Sequence, residues 1–222
     1  VLATVATPIG AAIITREMSK YGTDAVAGMA VINRMIPVVF AVVLALSGSI
    51  GPIMGQNFGA GRLDRVRDTF WDGVIFVGGY VLLAALLLFL FREQVVAMFG
   101  AEGMARDLII LFCGPLALAS FFNGVIFVSS ASFNNLGHPG YSTWVNWGRH
   151  TLGTLPLALA GGALFGAPGV LVGQAVGGVI FAAIAGWLSI RMITDPEHPL
   201  EALTCRFQKQ KRMHELCGRC IR

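Results

Sequence analysis

Ser120, Asn123, Phe127, Ser130 and Asn134 follow one another at steps of three, four, three and four in a run otherwise made of Leu, Ile, Phe and Val. In a helix that spacing puts all five on one face. Hydroxyls and side-chain amides donate and accept hydrogen bonds without carrying charge. Such a stripe can hold a polar solute in a water-filled cavity or bond to a neighbouring helix, and the spacing leaves both readings open. Asn33, Pro37, Phe40, Ser47 and Gly51 make a comparable face, and Thr4, Thr7, Ala11 and Thr15 a third.

Bond-making chemistry has little to work with. The chain contains no Gly-x-x-x-x-Gly-Lys-Ser/Thr, no His-Glu-x-x-His, no Gly-x-Ser-x-Gly and no aspartate pair inside an apolar run. A nucleotide-driven, hydrolytic or phosphotransfer site needs groups of that kind. The expectation is a protein that is not an enzyme, has no cofactor or resident metal and binds no nucleic acid. Cys113 lies in an apolar run and reads as a small buried residue. His214, Cys217 and Cys220 are spaced like half of a zinc site, but His198 and Cys205 are too loosely placed to complete it. Reduced thiols in the tail are therefore expected.

The elements that position the stripes must live in lipid. The 222 residues are 55% hydrophobic and only 13% charged, against roughly 25% charged in a soluble domain. Six apolar stretches are near the roughly 20 residues that cross a bilayer, at about 1–19, 30–53, 74–91, 108–133, 143–163 and 169–193. Helices are expected, because lipid leaves no open sheet edge satisfied. The fold class is an all-α membrane protein with one six-helix transmembrane lobe, 1–193, and a basic tail, 194–222. Pro37 and Pro115 are expected to bend their helices, and Pro8 and Pro156 also fall inside spans.

Charge sets the orientation. Arg62, Arg65 and Arg67 follow the second span, and Arg191, Arg206, Lys209, Lys211 and Arg212 follow the sixth. An even number of crossings puts both groups on one side, and short basic loops stay in the cytoplasm. Both chain ends are accordingly expected there, in a multi-pass protein of a plasma or bacterial inner membrane. The four Trp residues lie near span ends, where amphipathic rings prefer the interface. Gly51, Gly55 and Gly59, and again Gly169, Gly173 and Gly177, recur every four residues and are expected to pack helices closely. Arg34, Arg149 and the Arg16–Glu17 pair lie within about two turns of a span end, so snorkelling to the interface is expected of them. Val1 opens inside an apolar segment with no basic n-region or cleavage site. It is expected not to begin a signal peptide, and a preceding stretch of chain is expected.

Gly51-Pro-Ile-Met-Gly-Gln-Asn-Phe-Gly-Ala-Gly-Arg62, at the end of the second span, resembles the Gln-Asn-x-Gly-Ala segment of the multidrug and toxic compound extrusion (MATE) transporters. Ala131-Ser-Phe-Asn-Asn-Leu-Gly-His-Pro139, ending the fourth, resembles their Leu-Gly-x-Pro signature. Tyr21-Gly-Thr-Asp-Ala-Val-Ala-Gly28 resembles their Gly-x-x-x-Val-Ala turn. The three matches stand in order and correspond to the family's C-terminal lobe.

The resemblance implies twelve helices in two lobes around a cavity that opens alternately to each side. It implies secondary active efflux of amphipathic or cationic small molecules in exchange for Na⁺ or H⁺. The partners are then membrane lipid, the substrate and a missing N-terminal six-helix lobe. Asn123 departs from the acidic residue that many members carry in the fourth helix of this lobe, which places cation coupling in the other half. Two rival readings stand beside this one. A lipid or oligosaccharide flippase of related fold would want a more cationic cavity, and Arg34 and Arg149 keep it open. A non-transporting structural membrane subunit is disfavoured by the prolines and polar faces. The tail is expected to be dispensable for transport.

Overall fold

A computed structural model describes residues 2–194, with only the backbone described for residues 2–7 and Ile9. The basic tail with Cys205, Cys217 and Cys220, and the side chains of Thr4 and Thr7, lie outside the described residues. Every described element is helical, and no strand occurs among them. α1 is Leu2–Met18, α2 Thr23–Gly59, α3 Leu63–Leu90 and α4 the short Arg92–Phe99. α5 (Gly103–Leu111) continues through a π-helical turn, Phe112–Leu116, into α6 (Ala117–Asn135). α7 (Pro139–Gly148) likewise continues through the π-helical turn Arg149–Thr154 into α8 (Leu155–Phe165), and α9 is Ala167–Thr194.

Among the described residues, four rods are long and apolar enough to cross a membrane: Thr23–Gly59, Leu63–Leu90, Gly103–Asn135 and Ala167–Thr194. Leu2–Met18, at 17 residues, reaches only ~25 Å at the helical rise, a little short of a hydrocarbon core of ~30 Å. Most of the helices overrun their apolar stretches, α3 by eleven residues at its N-terminal end. Hydrogen bonding along the backbone carries a helix on into polar sequence, whereas apolar composition marks only the part in lipid. α4 lies between two of the expected spans, where eight residues with Arg92 and Glu93 show no span-like run.

The prolines act in two ways. Pro115 and Pro156 each lack the N–H that would bond four residues back, and a widened π turn lies at or just before each. At Gly114 the backbone leaves the helical region altogether, with φ −97° and ψ −114°. α2, by contrast, runs unbroken through both Pro37 and Pro52, where a bend was expected at Pro37. The Leu-Gly-x-Pro segment is a helix stop and restart. Gly137 has φ +90°, the His138 N–H donates to the Phe133 carbonyl at 2.9 Å, and Pro139 opens α7.

Three apolar clusters hold the rods together. Ile14, Met18, Met29, Ile32, Leu108 and Val170 join α1, α2, α5 and α9. Phe40, Val43, Phe70, Val77 and Val128 join α2, α3 and α6, and Ile126, Phe133, Val145 and Phe181 join α6, α7 and α9. α3 leaves Ile75, Leu82, Leu83, Leu86 and Leu90 exposed, an apolar surface of the kind that lipid covers. Trp71, Trp144 and Trp187 are exposed as well.

Small residues bring α8 and α9 into backbone contact. A Cβ on Gly169 would run into the Gly161 carbonyl, one on Gly173 into the Leu157 carbonyl, and one on Gly177 would lie 2.6 Å from the Gly153 carbonyl. The earlier triplet behaves unevenly. A Cβ on Gly51 would meet the Asn135 amide nitrogen at 2.5 Å and one on Gly55 the same side chain at 3.7 Å. Gly59 is a correction: a Cβ there would meet nothing within 4 Å. It is the last residue of α2, where the helix has run past its neighbours, so it packs against no helix among the described residues.

Candidate functional site

Two adjoining cavities lie between the helices. The larger, of about 550 Å³, is walled by α1, α2, α6, α7, α9 and the two π turns, and Asn33, Phe40, Ser120, Asn123 and Phe127 all line it. The smaller, of about 460 Å³, is lined by Ser47, Ser130 and Asn134, together with Gly51 and Phe127. The polar faces of α2 and α6 therefore converge on adjoining spaces, with Leu44 and Phe127 on the walls of both cavities. The Phe40 and Phe127 rings stand 6.1 Å apart at 53°.

The stripe also bonds between helices. The Asn146 amide donates to the Ser130 hydroxyl at 3.4 Å and, within its own helix, to the Ser142 carbonyl at 2.8 Å. Asn123 is left differently: its Oδ1 is buried and has no hydrogen-bond partner. Gly178 of α9 packs on that oxygen, and a Cβ there would lie 3.5 Å from it. A buried amide oxygen without a donor costs roughly 1–3 kcal/mol.

Sequence reading missed one wall. Asn146, Arg149 and His150, from α7 and its π turn, and Gln174 of α9 line the larger cavity. Arg149 was expected to snorkel; instead it is partly buried and turned inward. Its position along the rod explains this. Arg149 opens the π turn inside the continuous helical stretch 139–165, and its side chain projects from that turn toward the cavity instead of along the helix to its end. Asn146, Arg149 and His150 are spaced at i, i+3 and i+4, one helix face, and that spacing was the available signal. The imidazole packs on α1, where a Cβ at Gly10 would lie 2.5 Å from His150 Nδ1. Arg34, by contrast, is exposed.

No Asp or Glu among the described residues lines either cavity. The ion pairs found among them, Lys20–Glu17 at 2.5 Å and Arg106–Glu93 at 3.2 Å, lie elsewhere. The site can thus bind and orient a solute through amides, hydroxyls, one guanidinium and aromatic faces.

A family model described as MatE matches residues 1–160 of the 222. The chain belongs to the MATE family of transporters. An uncharacterised 21 kDa protein of Pseudomonas savastanoi is 34% identical over 194 residues, covering 83% of this chain and 61% of that protein. A FAD transporter of Shewanella oneidensis is 24% identical, covering 89% of this chain and 43% of its own length. A probable multidrug resistance protein NorM of Aromatoleum aromaticum is 27% identical, covering 81% and 40%. The fold is similar to that of the Vibrio cholerae MATE transporter VcmN in its bent form, with TM-score 0.82 at 23% identity over 87% of this chain and 44% of that one. The chain therefore spans only part of the length of these MATE transporters. Its described residues are all helical, with rods long and apolar enough to cross a membrane, as befits a member of a family of multi-pass membrane proteins.

Proposed function

We propose that this chain forms the C-terminal six-helix lobe of a MATE secondary transporter that exports amphipathic compounds in exchange for Na⁺ or H⁺. The observation that carries the proposal is the convergence of the α2 and α6 polar faces on the two adjoining cavities. The six rods 2–18, 23–59, 63–90, 103–135, 139–165 and 167–194 supply its helices. Both ends of the lobe lie in the cytoplasm of a bacterial inner-membrane protein, on the evidence of Arg62, Arg65, Arg67 and Arg191. An N-terminal lobe completes the pathway and holds the coupling cation, since Asn123 offers only an amide where an ion-exchanging carboxylate would be needed.

The absence of acid from the described cavity walls favours an amphipathic over a strongly cationic solute. Arg149 on the wall gives independent support to a second reading, a flippase for an anionic lipid headgroup. Export is tested in everted membrane vesicles containing the intact transporter. The expected result is solute movement that stops when the Na⁺ and H⁺ gradients are collapsed. Gradient-independent movement, or none, would contradict the proposal.

A further inference from the structure

One wall of the larger cavity carries a guanidinium and further hydrogen-bond donors, and no acidic side chain among the described residues faces them. Arg149, His150 and Gln174 line it, and no carboxylate does among the described residues. A guanidinium within a membrane-spanning lobe is costly unless an opposite charge meets it, and such residues generally face a pathway. Its planar fork of N–H donors matches the two oxygens of a carboxylate or phosphate. Asn146 is largely committed to Ser142 and Ser130, which leaves the Gln174 amide and the imidazole to complete the shell. The rest of the wall is apolar and aromatic, with Ile32, Phe40, Phe112, Leu116 and Phe127.

We propose that this lobe binds an amphipathic organic anion, its carboxylate or phosphate held by Arg149 with Gln174 and His150 and its apolar body against Phe40, Phe112 and Phe127. The inference deepens the exporter reading by naming its substrate class, and rests on it for taking the cavity as a solute path. The anion is either a soluble metabolite or a lipid headgroup; the two share the chemistry and differ in source.

The test is equilibrium binding to the full-length protein in phosphatidylcholine nanodiscs. The probes are 1-naphthyl phosphate, uncharged 1-naphthol and 1-naphthylmethylammonium, which share one ring system. The phosphate is expected to bind at least about tenfold more tightly than the naphthol, and the ammonium most weakly. Arg149→Gln should abolish the preference, Arg149→Lys should keep its order at a smaller ratio, and Gln174→Leu should reduce it if Arg149→Gln does not fold. A cation bound as tightly as the phosphate, or a preference unchanged in Arg149→Gln and Gln174→Leu, overturns the proposal. Repeating the titration with phosphatidylglycerol in the nanodiscs separates the sources. Weakened phosphate binding assigns the site to a lipid headgroup and unchanged binding to a soluble anion, and either result keeps the anion site. No gradient enters the measurement. Failure of driven flux would therefore defeat the exporter reading alone, and loss of the phosphate preference with flux intact would defeat only this inference.

Discussion

Phe40 of α2 and Phe127 of α6 face each other with ring centroids 6.1 Å apart, and Phe127 lines both cavities. Phe127 thus borders both spaces, with Asn123 one turn before it and Ser130 one turn after it, while Phe40 lines the larger. Phe127→Ala removes one of the two rings and should widen the range of solute sizes transported. A bulky compound rejected by wild type should gain about tenfold in relative transport, the scale of a mid-sized hydrophobic discrimination. Competition between a large and a small fluorescent substrate reads the effect directly; an unchanged ratio would show that the rings do not gate passage.

The contact of α8 with α9 makes a stability prediction. Gly173→Ala puts a methyl into the Leu157 carbonyl, whereas a Cβ at Gly79 of α3 meets nothing within 4 Å. Gly173→Ala should lower stability by about 1–3 kcal/mol, as overpacking does. Gly79→Ala should be neutral or stabilising by up to ~1 kcal/mol, because alanine is the better helix former. Thermal unfolding of the two variants in the same detergent checks the contrast.

Orientation is testable at the turn before α5. Gly103 has φ +54°, so a side chain there is strained, while the adjacent Glu102 is exposed and extended. A cysteine at Glu102 should react with an impermeant thiol reagent from outside intact cells, in a background freed of the tail thiols. Reaction only after permeabilisation would invert the topology.

Asn123 cannot exchange a proton. Asn123→Asp in the intact transporter should alter the pH or Na⁺ dependence of export, since a carboxylate in the cavity can hold a cation in one conformation and release it in the other. The cost to stability should be modest if the position is wet, and large if it is dry. Ion dependence identical to wild type in a well-expressed variant would place coupling outside this position.

How much was legible depended on the regularity of the helix. The α6 stripe could be read because Ala117–Asn135 is an uninterrupted helix, so its three-and-four spacing survives into the structure. The wall made by Asn146, Arg149 and His150 was harder to see. A lone arginine in an apolar stretch looks like an interface anchor when the stretch is taken as a bare span, and the π turn that begins at Arg149 leaves the ordinary helical period. Gln174, one amide in the Gly- and Val-rich α9, has no polar partner along its own helix and is identified only by what packs opposite. Glycine spacing predicted contact at Gly173, where a neighbouring helix runs alongside, and failed at Gly59, where none does.

The central claim is that solute passes the cavity between α2, α6 and the Arg149 turn, and gradient-driven flux through Asn123→Leu tests it most directly. Leu118, exposed on the outer face of α6, supplies the control as Leu118→Ile. With the intact transporter reconstituted at matched incorporation, Asn123→Leu should reduce flux by about tenfold or more, the scale of one lost polar contact in a buried site. Leu118→Ile should retain nearly all of it. Wild-type flux in Asn123→Leu would contradict the claim and move the pathway out of this cavity.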